Sequence, residues 1–227
     1  MRRELGGHAG AAEGYRHRIP LGLVMMEQGW ITGEQLKLAL ESQRAAGGGG
    51  RLGDYLVRQG IGEHLVTRAL SLQWSCPVLA ADFHDSHALA CLLPRLFVDA
   101  YGALPLRVAA GRLVYLGFEE RLDPVLALAL ERQSGLRVES GVVRGSEFRP
   151  AHARMLNAVY PRVELLEAVS EAAMVRALAR SVERARPSAS RLVRVHDCLW
   201  LRMWNHAGPG AWSDAGSVQD VIASVGA

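Results

Sequence analysis

The chain has 227 residues, 49% of them apolar and 22% charged, with a formal net charge of +3. This supplies material for one large core or two small ones and excludes an intrinsically disordered chain. Three widely spaced cysteines, Cys76, Cys91 and Cys198, with no CxxC pair, argue against a disulfide framework or a zinc site and for a reducing compartment. The start, MRRELGGHAGAAEGYRHR, carries charge without the apolar stretch of a signal peptide. No run reaches the roughly 18 apolar residues that a membrane helix needs. The expectation is a cytoplasmic protein without membrane insertion. Lys37 is the only lysine. The arginine bias fits either coding bias or contacts with phosphate and carboxylate.

In chain order, residues 1–17 read as a flexible tail and 18–75 as a duplicated helical unit. Residues 76–157 read as a small α/β sandwich, and 158–227 as a C-terminal helix-plus-strand extension. The class is α+β.

The duplication is the most informative feature. PLGLVMMEQGWITGEQLKLALESQ, from Pro20 to Gln43, returns as RLGDYLVRQGIGEHLVTRALSLQ, from Arg51 to Gln73. At an offset of 31, Leu21-Gly22 matches Leu52-Gly53, Met25-Met26 matches Leu56-Val57, and Gln28-Gly29 matches Gln59-Gly60. One residue is then missing from copy two. At an offset of 30, Leu36, Ala39, Leu40 and Gln43 match Val66, Ala69, Leu70 and Gln73.

Each copy reads as a short helix, a glycine stop and a longer helix. Gly29 and Gly60 stand where a left-handed C-terminal cap is expected, and Thr32 with Gln35 forms a capping-box pair. Copy two begins its second helix near Gly62. RAAGGGG, from Arg44 to Gly50, reads as a flexible linker between the copies. The single-residue deletion would rotate the second helix of copy two by about 100° unless the loop absorbs it. Gly22 and Gly53 lie early in a helix, where glycine costs about 1 kcal/mol relative to alanine. Close helix packing and backbone approach to a ligand both account for them.

Beyond the repeat, Val78–Ala80 reads as a strand and Ser86–Tyr101 as a helix carrying Leu89, Leu92, Leu93 and Leu96. Leu106–Ala109 and Leu113–Leu116 read as a hairpin around AAGR. Pro124–Gln133 reads as a helix stopped by Gly135, and Val138–Val143 as a strand. Val163–Arg184 is expected as an amphipathic helix burying Leu165, Leu166, Val169, Ala173, Val175, Leu178 and Val182. RLVRVHDCLWLRMW suggests a strand or a hairpin turning at His196-Asp197, and the C-terminal residues a short helix capped at Ser217.

His196, Asp197 and Cys198 are the types a thiol hydrolase needs, but neighbours on a strand point to opposite faces and cannot converge. His84 to His87, HDSH, offers two histidines to a metal, or a surface loop. Trp200 and Trp204 are core or an exposed docking patch. The one arginine cluster, RSVERARPSASRLVR, is weak support for nucleic-acid binding.

The two-copy pattern resembles the N-terminal domain of the assembly ATPases of type II secretion and type IV pili, the GspE/MshE N-terminal family. That family's motif is Arg-Leu-Gly, Leu-Val, Gly-Leu-Ile, then a helix with a closing Gln. The resemblance extends through LLPRLFVDAYGALPLRVAAGRLVYLGFEERLDPVLALALERQSGLRV and covers roughly Ile19 to Leu156. In one branch of the family the paired motifs bind cyclic di-GMP. The resemblance implies that the motif arginine and closing glutamine hydrogen-bond the nucleotide, while the Leu-Gly backbone packs on it. Position by position, the candidates are Leu21, Gly22, Gly29 and Gln43 in copy one, with Arg51, Leu52, Gly53, Gly60 and Gln73 in copy two. Pro20 stands where the motif has arginine, and Arg18, two positions earlier, is its candidate replacement.

No GxxxxGK[ST] occurs, and Lys37, the single lysine, lies outside any such pattern. The expectation is therefore a non-enzymatic regulator without the ATPase motor. It would hold cyclic di-GMP or a related nucleotide, use no metal or cofactor, and relay its state to a protein partner in secretion, pilus assembly or another system. The alternative is a protein-interaction adaptor on the same fold without the ligand.

Overall fold

The computed structural model describes residues 18–81, 86–206, 208 and 215–226. The N-terminal tail of the sequence reading lies outside them. The chain divides into two compact units at Ser75/Cys76.

The first unit is four helices, two per copy of the repeat. Copy one gives α1 (Leu21–Glu27) and α2 (Gly33–Ala45); copy two gives α3 (Leu52–Arg58) and α4 (Glu63–Trp74). The glycine stops form as expected: Gly29 and Gly60 have φ of 69° and 91°. The amide after each glycine reaches back into the short helix, Trp30 N–H to the Met25 carbonyl and Ile61 N–H to the Leu56 carbonyl. This is the Schellman closure, made by matched residues in both copies. Thr32 and Gln35 make both bonds of the capping box at the start of α2. Gly62 caps α4 without a side-chain bond.

The missing residue in copy two is absorbed in this loop. Ala39 and Ala69 are both fully buried, so α4 presents the same face to the core as α2. Helices pair across the copies, with α2 packed on α3 and α1 on α4. The two copies therefore close one core that neither has alone.

The second unit holds two four-stranded sheets. The first contains β1 (Val78–Leu79), β2 (Ala103–Ala109), β3 (Leu113–Phe118) and β4 (Arg137–Val143), in the order β1-β4-β3-β2. Around it stand α5 (Ser86–Ala90), α6 (Arg95–Tyr101), α7 (Pro124–Ser134) and α8 (Gly145–Leu156). The expected Ser86–Tyr101 helix is two helices. Pro94, at the N-cap of α6, lacks the amide that a continuous helix needs, and Leu96 is left exposed.

The second sheet contains β5 (Arg162–Ala168), β6 (Ala189–Val195), β7 (Cys198–Trp204) and β8 (Val218–Val225), in the order β5-β8-β7-β6, with α9 (Glu171–Ala185) on one face. Two expectations are corrected here. Val163–Arg184 is a strand followed by a helix, because Ser170 caps a new start by accepting from the Ala173 amide. Leu165 and Val169 are exposed, whereas Met174 and Leu178 are buried. The C-terminal residues form strand β8, paired with both β5 and β7, rather than a helix.

The hairpin at His196-Asp197 forms, and Trp200 and Trp204 are core. Both sheets follow one strand order, with the fourth strand inserted between the first and third. In the first sheet α7 connects β3 to β4 and makes that pair parallel; β7 and β8 are antiparallel.

A buried ion pair ties this second sheet to the helices above it. Arg202 and Asp220 face each other across β7 and β8, with Arg202 Nη2 at 2.7 Å from Asp220 Oδ2 and Nε at 2.8 Å from Oδ1. Trp200 Nε1 donates to the same carboxylate, and Arg202 Nη1 donates to the Cys91 and Leu92 carbonyls just past α5. Every arm of the pair has a partner, which is the condition for burying two charges without a large desolvation loss.

Candidate functional site

The residues that the repeat singles out separate into two kinds. The four glycines are explained by the fold. A Cβ on Gly22 would stand 2.5 Å from Leu36 Cδ1, and one on Gly53 would stand 2.8 Å from Val66 Cγ1. Leu36 and Val66 are themselves a matched pair. Each early glycine thus lets the second helix of its own copy approach the first, the close-packing account of the two left open by the sequence. Gly29 and Gly60 sit at the left-handed closures with open space around them.

Leucine, glutamine and arginine positions group differently. Gln73 Nε2, at the end of copy two, donates to the Ile19 carbonyl at 2.7 Å. Gln43 Nε2, at the end of copy one, donates to the Gly50 carbonyl at 2.9 Å. Ile19 and Gly50 each lie two residues before the motif leucine, Leu21 or Leu52. Each closing glutamine therefore holds the entry of the other copy. Two equivalent arrangements result: Gln73 holds Ile19, in the stretch from Arg18 to Leu21, and Gln43 holds Gly50, directly before Arg51 and Leu52. Both leucines and both glutamines are half-buried, and both arginines are exposed.

Around these entries the clusters differ. Before copy one, the Arg18 guanidinium lies 3.4 Å from the centroid of the Trp74 ring. Before copy two, Tyr55 Oη donates to the Gly49 carbonyl at 2.9 Å. Gly47, Gly48 and Gly50 all have positive φ. The expected flexible linker is therefore a turn with defined bonds, since Gln43 and Tyr55 both fasten it. Gln59 adds a further tie across the copies. With its amide nitrogen toward the Gln35 carbonyl (3.1 Å), its oxygen accepts from the Ala39 amide (2.8 Å). Trp74 and Tyr55 were not among the residues singled out from the sequence. Trp74 directly follows the closing glutamine, and that adjacency was the available signal.

The hydrolase-like residues are brought together differently from a catalytic triad. His196 Nε2 lies 2.7 Å from Asp123 Oδ2, and Asp123 Oδ1 accepts from the Leu126 amide as the N-cap of α7. Tyr101 lies against the His196 ring at 5.1 Å between centroids. Burial, then the Asp197 charge, pushes the Cys198 thiol up, so it is held as a thiol rather than as a nucleophilic thiolate. Asp123 and His196 fasten the hairpin to the start of α7.

His84 lies outside the described residues. Among those that are described, no group of three or more His, Cys, Asp and Glu is placed to hold a metal ion, and no helix is long and apolar enough to cross a membrane.

No protein-family model matches the chain. It is 32% identical over 126 residues, 55% of its length, to bacteriophage adsorption protein B of Escherichia coli (strain K12). The same figures hold for bacteriophage N4 adsorption protein B of Escherichia coli O157:H7. The chain spans 16% of the length of these curated relatives. Among solved structures it is similar to MshE with cdg, at 25% identity and a TM-score of 0.47, over 61% of this chain and 99% of that one. It is also similar to the N-terminal domain of XpsE, at 16% identity and a TM-score of 0.41, over 59% and 92% of the two chains.

Proposed function

We propose that the four-helix unit is a non-enzymatic sensor of cyclic di-GMP that passes its state to a protein partner of the secretion or pilus-assembly kind. The observation that carries this reading is the pairing of clusters. Gln73 with Arg18 and Leu21, and Gln43 with Arg51 and Leu52, are two equivalent groups built from both copies. A cyclic dinucleotide presents two identical halves, each with a phosphate charge and a purine face. Arginine answers the phosphate or the guanine edge, and the glutamine amide offers donor and acceptor together. Ligand contacts to the Gln43 and Gln73 amides would compete with their bonds to Gly50 and Ile19. Binding would thereby select among arrangements of the two copies.

Two observations favour a second reading, an adaptor without ligand. Both glutamine amides already serve the fold, and Pro20 removes one motif arginine. Calorimetric titration of the purified chain with cyclic di-GMP, beside Arg51→Ala, separates the two. The sensor reading expects micromolar or tighter binding, about −8 kcal/mol or better, weakened in the variant. Absence of heat at high micromolar nucleotide would leave the adaptor.

A further inference from the structure

We propose that Arg18 and Trp74 form a base-stacking platform for the copy-one half of the site, in the place of the motif arginine that Pro20 replaces. The inference rests on the cyclic di-GMP reading and names how one half of that ligand is held. The guanidinium lies 3.4 Å from the centroid of the indole ring, the spacing of stacked planes. Trp74 is half-buried and Arg18 is exposed, so the stack stands at the surface of the unit.

Its position is set from both sides. Gln73, the neighbour of Trp74, holds the carbonyl of Ile19, the neighbour of Arg18. The bond spans 54 positions in sequence and pins the two backbones that carry the stack.

The matched positions in the other cluster are Gly49, by the offset of 31, and Arg44, by the offset of 30. Neither is aromatic. The platform therefore belongs to the half that lost its motif arginine and is missing from the half that kept Arg51. A planar cation stacked on an indole suits one chemical class: a purine, whose ring stacks on the platform, with its phosphate near the guanidinium charge. A phosphate alone would need no aromatic ring.

The test is titration of the full chain with cyclic di-GMP by calorimetry, for the wild type, Trp74→Phe, Trp74→Leu and Arg18→Gln. Loss of a stacked base weakens nucleotide binding by roughly five- to 150-fold. Trp74→Leu should weaken binding by about tenfold or more, Trp74→Phe should keep most of it, and Arg18→Gln should fall between them. Arg18 is exposed, so its variant remains decisive even where Trp74→Leu fails to fold. Wild-type affinity in Arg18→Gln, with Trp74→Leu also unchanged where it folds, overturns the platform and leaves the cyclic di-GMP reading standing. Absence of wild-type binding overturns both.

Discussion

The two copies of the repeat fold alike where they are spelled differently and diverge in the residues that open each copy. Each copy uses a glycine to bring its helices together, a second glycine to close the short helix, and a closing glutamine to hold the other copy's entry. These devices survive Met25 against Leu56, Leu36 against Val66, and a deleted residue after Gly60. The entries themselves diverge: Pro20 with the Arg18–Trp74 stack before copy one, Arg51 with the Tyr55–Gly49 bond before copy two. Packing tolerates exchange among apolar residues of similar shape. A charge or an aromatic ring at a surface has no such equivalents, so the entries are where the copies can specialise.

The equivalence can be broken first at the early glycines. Gly53→Ala drives a Cβ into Val66, which is β-branched and stiff, and should cost about 1–3 kcal/mol in denaturant unfolding. Gly22→Ala meets the mobile end of Leu36 and should cost clearly less, although its contact is the shorter. Equal losses would mean that the core, rather than the facing side chain, sets the penalty.

A smaller effect sharpens the comparison at the closures. Alanine at Gly60 or Gly29 must adopt positive φ, at a cost of about 1–2 kcal/mol. Gly60, at 91°, lies further from the left-handed minimum than Gly29, at 69°, and should lose more in thermal unfolding. Least of all, Tyr55→Phe removes one bond to Gly49 and should cost about 0.5–1.5 kcal/mol. Copy one has Val24 at the matched position, so no change there can reproduce the effect. A Tyr55→Phe protein as stable as the wild type would show that Gln43 alone fastens the turn.

Much of this was legible along the chain because it is local. The capping box, the glycine closures, the hairpins at AAGR and His196-Asp197, and the stop at Gly135 each depend on a few adjacent residues. The register of the repeat could be read across its deletion because Ala39 and Ala69 keep their spacing to Leu40 and Leu70. The candidate site was legible as a roster of residues but not as two clusters. Nothing in a linear motif says that the glutamine of one copy serves the entry of the other.

By itself the sequence determined the duplicated helical unit, its caps and turns, and the alternation of strand and helix through β4, because short-range propensity and periodicity specify them. Tertiary structure decided what rested on distant partners. Leu165 and Leu166 fit a helical spacing as well as a strand, and β5 formed because β8 was there to pair with it. The residues from Val218 became a strand between β5 and β7 for the same reason. Gly22 and Gly53 acquired their meaning from Leu36 and Val66, and Gln43 and Gln73 from carbonyls in the opposite copy. Arg202 and Asp220, far apart in chemistry from the apolar runs around them, could be buried only because each found the other. Local rules choose the elements; only the closed core chooses which polar and small residues meet.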